Sequence, residues 1–89
     1  SVATSGADSA AMFRQFLTEA VLRRLAAACD AEDPELRATL VAGQMLGAAM
    51  LRYALAIEPI ASADVEDLVA LLAPTIQGYL TGEVPARGA

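Results

Sequence analysis

Residues 33–59 read DPELRATLVAGQMLGAAMLRYALAIEP, and the fold turns on how this stretch is taken. Asp33 before Pro34 marks a helix start. A carboxylate at the N-cap can accept from free amides at N2 or N3, and a proline at N1 gives up an amide that had no helical partner. Glu58 before Pro59 marks the stop, because proline disfavours helical geometry at the residue before it. The spacing between these signals predicts one long helix over about 34–57. From Ala38 to Leu51 it carries no charge, so it is apolar almost all the way round and has to be covered on several sides. That uncharged run falls short of the roughly 20 residues needed to span a bilayer, and Thr39 and Gln44 interrupt it. It reads as a central, buried helix.

Two glycines inside such a helix need a reason, since each gives up about 1 kcal/mol relative to alanine. On the helical wheel Leu36, Gly43, Gly47, Met50 and Ala54 fall side by side, and the glycines cut a shallow groove there. The groove either admits a partner helix closer than the usual spacing of roughly 8–10 Å or leaves room for a ligand. Gln44 and Arg52 are the polar residues of this helix that burial would leave needing partners. Arg52 either extends to an acidic residue at the start of the next helix or to solvent, or joins Gln44 as a polar anchor in an apolar pocket beside Phe13, Phe16 and Met45.

Two further helices flank the central one. AMFRQFLTEAVLRRLAAAC predicts a helix over about 8–29, with Ser5, Asp8 or Ser9 as candidate caps. Phe13, Phe16, Leu17, Ala20, Val21, Leu25 and Ala28 form its apolar face. Glu19 and Arg23 stand in the favourable i, i+4 order on the solvated side. The stretch SADVEDL opens a third helix over about 64–81, with Ser62 or Asp64 as cap and Glu66 and Asp67 at the positive end of the helix dipole. Val65, Leu68, Val69, Leu72, Ile76, Tyr79 and Leu80 make its stripe. Pro74 is expected to interrupt it and Gly82 to end it, leaving 84–89 as a flexible tail. The fold class is therefore all-α: two long antiparallel helices plus one flanking helix.

Composition narrows the function. A chain of 89 residues makes one small domain whose core is marginal alone, yet 56% of it is hydrophobic. Oligomerisation is the natural remedy. The net charge of -5 and the lack of any basic stripe argue against direct contact with nucleic acid, where affinity comes from cations on the phosphates. The absence of histidine removes the commonest general base and metal ligand. No carboxylate is placed beside a Ser or Cys on an interior face, so neither catalysis nor a metal or cofactor is expected. The acidic cluster Asp30, Glu32, Asp33 and Glu35 lacks the spacing and glycine of a calcium loop and reads as helix-start chemistry. Cys29 alone among alanines reads as a small hydrophobe, and a cytoplasmic setting fits.

The order FRQFLTEAVLRRLAAA, then DPELRATLVAGQMLGAAMLRYALAIEPIASAD, then VEDLVALLAPTIQGYLTG resembles the last three helices of TetR-type transcriptional regulators, particularly those of high-GC actinobacteria. The DPELR start, the G-x-A-x-x-R-Y segment at Gly47 to Tyr53, the EPIASAD turn and the LLAPTIQGYLTG ending carry the likeness over about residues 1–83. SVATS looks like the exit of a preceding helix.

This resemblance implies a homodimeric repressor's C-terminal part, in which the second and third helices pair with their copies in a four-helix bundle. Gly43, Gly47, Met50, Ala54, Leu68, Leu72, Ile76 and Tyr79 would lie at the interface. It also implies a small apolar effector for the full-length protein, with Phe13, Phe16, Gln44, Met45 and Arg52 as the candidate pocket, and DNA binding in an N-terminal helix-turn-helix domain not contained in these residues. The rival reading is a free-standing helical adaptor whose apolar groove takes a partner helix.

Overall fold

The computed structural model describes residues 6–82. Its elements are all helical. The first helix comprises an α-helix Gly6–Leu17, a π-helical turn Thr18–Leu22 and an α-helix Arg23–Ala28. The second comprises an α-helix Pro34–Ala49 running into a π-helical turn Met50–Ala54. The third is an α-helix Val65–Thr81. The all-α, three-helix expectation therefore holds. The proposed cap Ser5, the SVATS segment and the tail at 84–89 lie outside the described residues.

The helix starts differ from the expected capping chemistry. Pro34 does occupy the first turn, yet Asp33 sits in the left-handed region at φ 56°, ψ 54°, and its side chain makes no cap bond. Its carbonyl instead receives the amide of Arg37 at 3.0 Å. Aspartate is among the few residues that visit this region readily. At the third helix Asp64 is the N-cap residue without a side-chain bond, and its carbonyl accepts from the amides of Asp67 and Leu68, both at 3.1 Å. Ser62 is not the cap, because its amide and hydroxyl are both turned back to the Glu58 carboxylate. In the first helix Asp8 and Ser9 fall inside the helix, which is already under way at Gly6.

Two expectations about helix continuity are corrected. The third helix is unbroken through Pro74, whose ring faces solvent, and it stops at Gly82 with φ 79°, as a left-handed C-terminal residue should. The first helix, expected to run regularly over about 8–29, holds a π turn at Thr18–Leu22.

The second helix is central. The first packs on it through Thr18–Leu22 and Arg23–Ala28, and the third packs along its other flank. Asp30 donates its amide to the carbonyl of Leu80 at 2.9 Å, which sets the end of the third helix beside the start of the second, so the two run antiparallel. The core is small. Ala38, Val41 and Ala42 are its buried residues, and all three lie on one side of the second helix. The expectation that this helix is covered all round fails within one chain, because Leu36, Leu40, Leu46, Met50 and Leu51 are all exposed. Gly6–Leu17 projects past the packed region. The Cα radius of gyration is accordingly 15.9 Å, against about 12 Å for a compact domain of this length.

Candidate functional site

The second helix presents two opposite faces with different fates. Ala38, Val41 and Ala42, with half-buried Arg37, Ala48 and Arg52, point into the chain. About half a turn away on the wheel lie Leu36, Leu40, Gly43, Gly47, Met50, Leu51 and Ala54, and every one of them is exposed. A Cβ built on Gly43 or Gly47 meets nothing within 4 Å. The groove predicted from sequence is thus open, and no helix among the described residues fills it. On the third helix Leu68, Leu72, Ile76 and Tyr79 are half-buried along the flank of the second helix, while Val65, Val69 and Leu71 are exposed. The eight residues expected at an interface therefore divide. Gly43, Gly47, Met50 and Ala54 stand uncovered, and the four from the third helix share their contact surface with the second helix.

Two arginines tie the third helix to the second. Arg37 donates from Nε to the carbonyl of Glu32 at 2.7 Å, and from Nη1 to the carbonyls of Tyr79 at 3.0 Å and Gly78 at 3.5 Å. These last two belong to the final turn, at the negative end of the helix dipole, which favours a cation. Cys29 adds an Sγ contact to the Tyr79 carbonyl at 3.7 Å. At the far end Arg52 donates from Nη1 to the carbonyls of Ile60 at 2.8 Å and Ala63 at 2.7 Å. Its guanidinium carbon lies 5.5 Å from the centroid of the Tyr53 ring, within cation–π range. Sequence reasoning missed Arg37 entirely. A signal was present, since a cation at the fourth position of a helix opposes the dipole and asks for an acceptor elsewhere.

None of the five residues expected to line a pocket lies in the lining of the cleft between the first and second helices. Phe13, Phe16, Gln44 and Met45 are exposed, and Arg52 spends its Nη1 on backbone carbonyls of the link between the second and third helices, not on an acidic side chain. That cleft has a volume of about 510 Å³ and is lined by Thr18, Leu22, Arg23, Ala26, Ala27, Glu35 and Thr39. Its floor is aliphatic, and two hydroxyls and two opposite charges ring it. Thr18 and Leu22 open and close the π turn of the first helix, so a local widening of that helix forms one wall. Sequence gave no sign of it, because the π turn has no composition of its own.

The model of the family described as Tetracyclin repressor-like, C-terminal domain matches residues 1–80. The chain belongs to this family. No curated protein and no solved structure matches it. Membership of the tetracyclin repressor-like C-terminal domains makes it part of a transcriptional regulator family, in the region that generally serves effector binding and dimerisation. The uncovered stripe and the cleft of this repressor-like domain are accordingly the two surfaces of interest. Among the described residues no helix is long and apolar enough to cross a membrane.

Proposed function

We propose that this chain is the dimerisation and effector-binding portion of a TetR-like transcriptional regulator whose DNA-reading domain lies elsewhere in the protein, and that it pairs with a second copy through the second and third helices. The observation that carries this reading is the stripe Leu36, Leu40, Gly43, Gly47, Met50, Leu51 and Ala54, exposed opposite the buried face and notched by two glycines with open space above them. A small core of alanines and one valine leaves the chain marginal, and covering this stripe with its copy would remove large apolar side chains from water at about 25 cal/mol per Å². Close crossing at the glycines would return the propensity they cost.

The cleft between the first and second helices is the chain's contribution to effector binding in this reading. Its volume falls within the usual range for ligand sites, roughly 300–1,000 Å³, and its aliphatic floor with polar rim suits a small, largely apolar molecule. In a full regulator an effector there would act by differential affinity for two arrangements of the DNA-reading heads.

Disulfide trapping tests the pairing. In a Cys29→Ala background, Gly47→Cys is expected to form a cross-linked dimer on mild oxidation, and Ala11→Cys on the exposed side of the first helix is not. Equal trapping at both positions, or none at Gly47→Cys, would remove the support for this interface.

A further inference from the structure

The two arginine ties are not equivalent, and their difference assigns a mechanical role to each. At the C-terminal end of the third helix the attachment is redundant. Arg37 reaches the carbonyls of Gly78 and Tyr79, Cys29 reaches Tyr79 as well, and the Asp30 amide takes the Leu80 carbonyl. Gly82 closes that turn by donating its amide to the Gly78 carbonyl at 2.9 Å, and it packs against Ala31 so closely that a Cβ there would lie 2.8 Å from the Ala31 Cβ. Backbone, side chain and close packing all converge on one corner.

At the N-terminal end the side-chain hydrogen bonds from the second helix come from one residue. The segment 58–64 is bonded within itself, Ser62 and Ala63 donating to Pro59 and Ser62 to the Glu58 carboxylate, and Ala61 donates to Ile57 just before it, whose own amide meets the Leu51 carbonyl at 2.9 Å. Among the described residues the hydrogen bonds that join this segment to the second helix are the two from Arg52 Nη1. Arg52 sits in the π turn Met50–Ala54, and its Nε is buried with no hydrogen-bond partner. Ala56, just beyond, is held in the left-handed region at φ 51°. A left-handed residue marks both ends, Ala56 here and Asp33 at the Arg37 corner, but among the described residues the buried donor without a partner belongs to this end and acts against it.

We propose that Arg37 and its neighbours form a fixed pivot for the third helix and that Arg52 is a latch, so that the link and the first turns of the third helix open locally about the C-terminal corner when the Ile60 and Ala63 carbonyls are released. The lever is long: Arg37 and Arg52 are fifteen positions apart on the second helix, about 22 Å at the helical rise. Such a motion is hinge-like, with the angular change absorbed at the link. It does not rest on the dimer reading, since every group named belongs to one chain. If the third helix does serve a bundle, the latch decides whether its N-terminal half is in place.

Amide hydrogen exchange on the intact chain tests this directly. In the wild type the amides of Ala61, Ala63 and Leu68 should exchange faster than those of Asp30 and Gly82. Arg52→Gln should accelerate the first group by about tenfold or more, as loss of bonds to a charged donor implies, and leave the second group within about twofold. Arg52→Lys, which keeps the charge and can reach one carbonyl, should fall between the two and serves as the deciding variant if the glutamine form does not fold. Equal protection at both ends of the wild type, or acceleration by Arg52→Lys spread evenly over both groups, would overturn the assignment.

Discussion

Gly43, Gly47 and Gly82 illustrate three different demands on the same residue type. Gly82 is required by its backbone, at φ 79° with Ala31 against it. Gly82→Ala should therefore cost about 2 kcal/mol, read as a lowered midpoint in urea unfolding. Gly43 has ordinary helical geometry and empty space above it, so within one chain Gly43→Ala should gain about 1 kcal/mol of helix propensity. The account predicts that gain at concentrations where the chain is monomeric, together with a weaker dimer, and a dimer constant that does not change would argue that the groove is not crossed closely. Arg37 belongs to the same scale. Arg37→Ala should destabilise the chain by about 2 kcal/mol, the worth of hydrogen bonds from a charged donor, measured in the same denaturant titration. The sequence disclosed the glycine groove through wheel geometry, and it concealed the arginine bonds because their acceptors are backbone carbonyls about forty residues away in sequence, which composition does not mark.

Among the elements, Pro34 in a first turn and Gly82 at a left-handed stop carry legible local chemistry, whereas the second helix, expected to run to 57 and stop at Pro59, ends at Ala54 with Ala56 left-handed beyond it. What the sequence concealed was the interior. Two π turns, at Thr18–Leu22 and Met50–Ala54, widen helices that read as regular. Pro74 was expected to interrupt a helix that in fact continues. A proline there removes one amide donor and crowds the carbonyl four residues earlier, and the helix persists because its apolar stripe at Leu68, Leu72 and Ile76 remains packed on the second helix on both sides of it. Restoring the donor with Pro74→Ala should raise stability by about 1–3 kcal/mol, seen as a higher thermal midpoint by circular dichroism. The Gly6–Leu17 segment is the counterpart. Met12, Phe13 and Phe16 are exposed on it, left uncovered by the described residues.

For the whole molecule, the balance between apolar content and burial is decisive. More than half of the residues are hydrophobic, yet the buried core consists of Ala38, Val41 and Ala42. Surfaces of this kind on a small chain mark interaction sites, and in the function proposed above a second copy covers the stripe on the second helix. Sedimentation equilibrium of the wild type beside Gly47→Leu and Ala11→Leu tests that claim most directly. The account predicts a wild-type dimer at roughly 20 μM, a dissociation constant raised by about tenfold or more in Gly47→Leu because a large side chain overfills the close crossing, and no comparable change in Ala11→Leu. A wild-type monomer at that concentration, or the same dimer constant for all three chains, would contradict it.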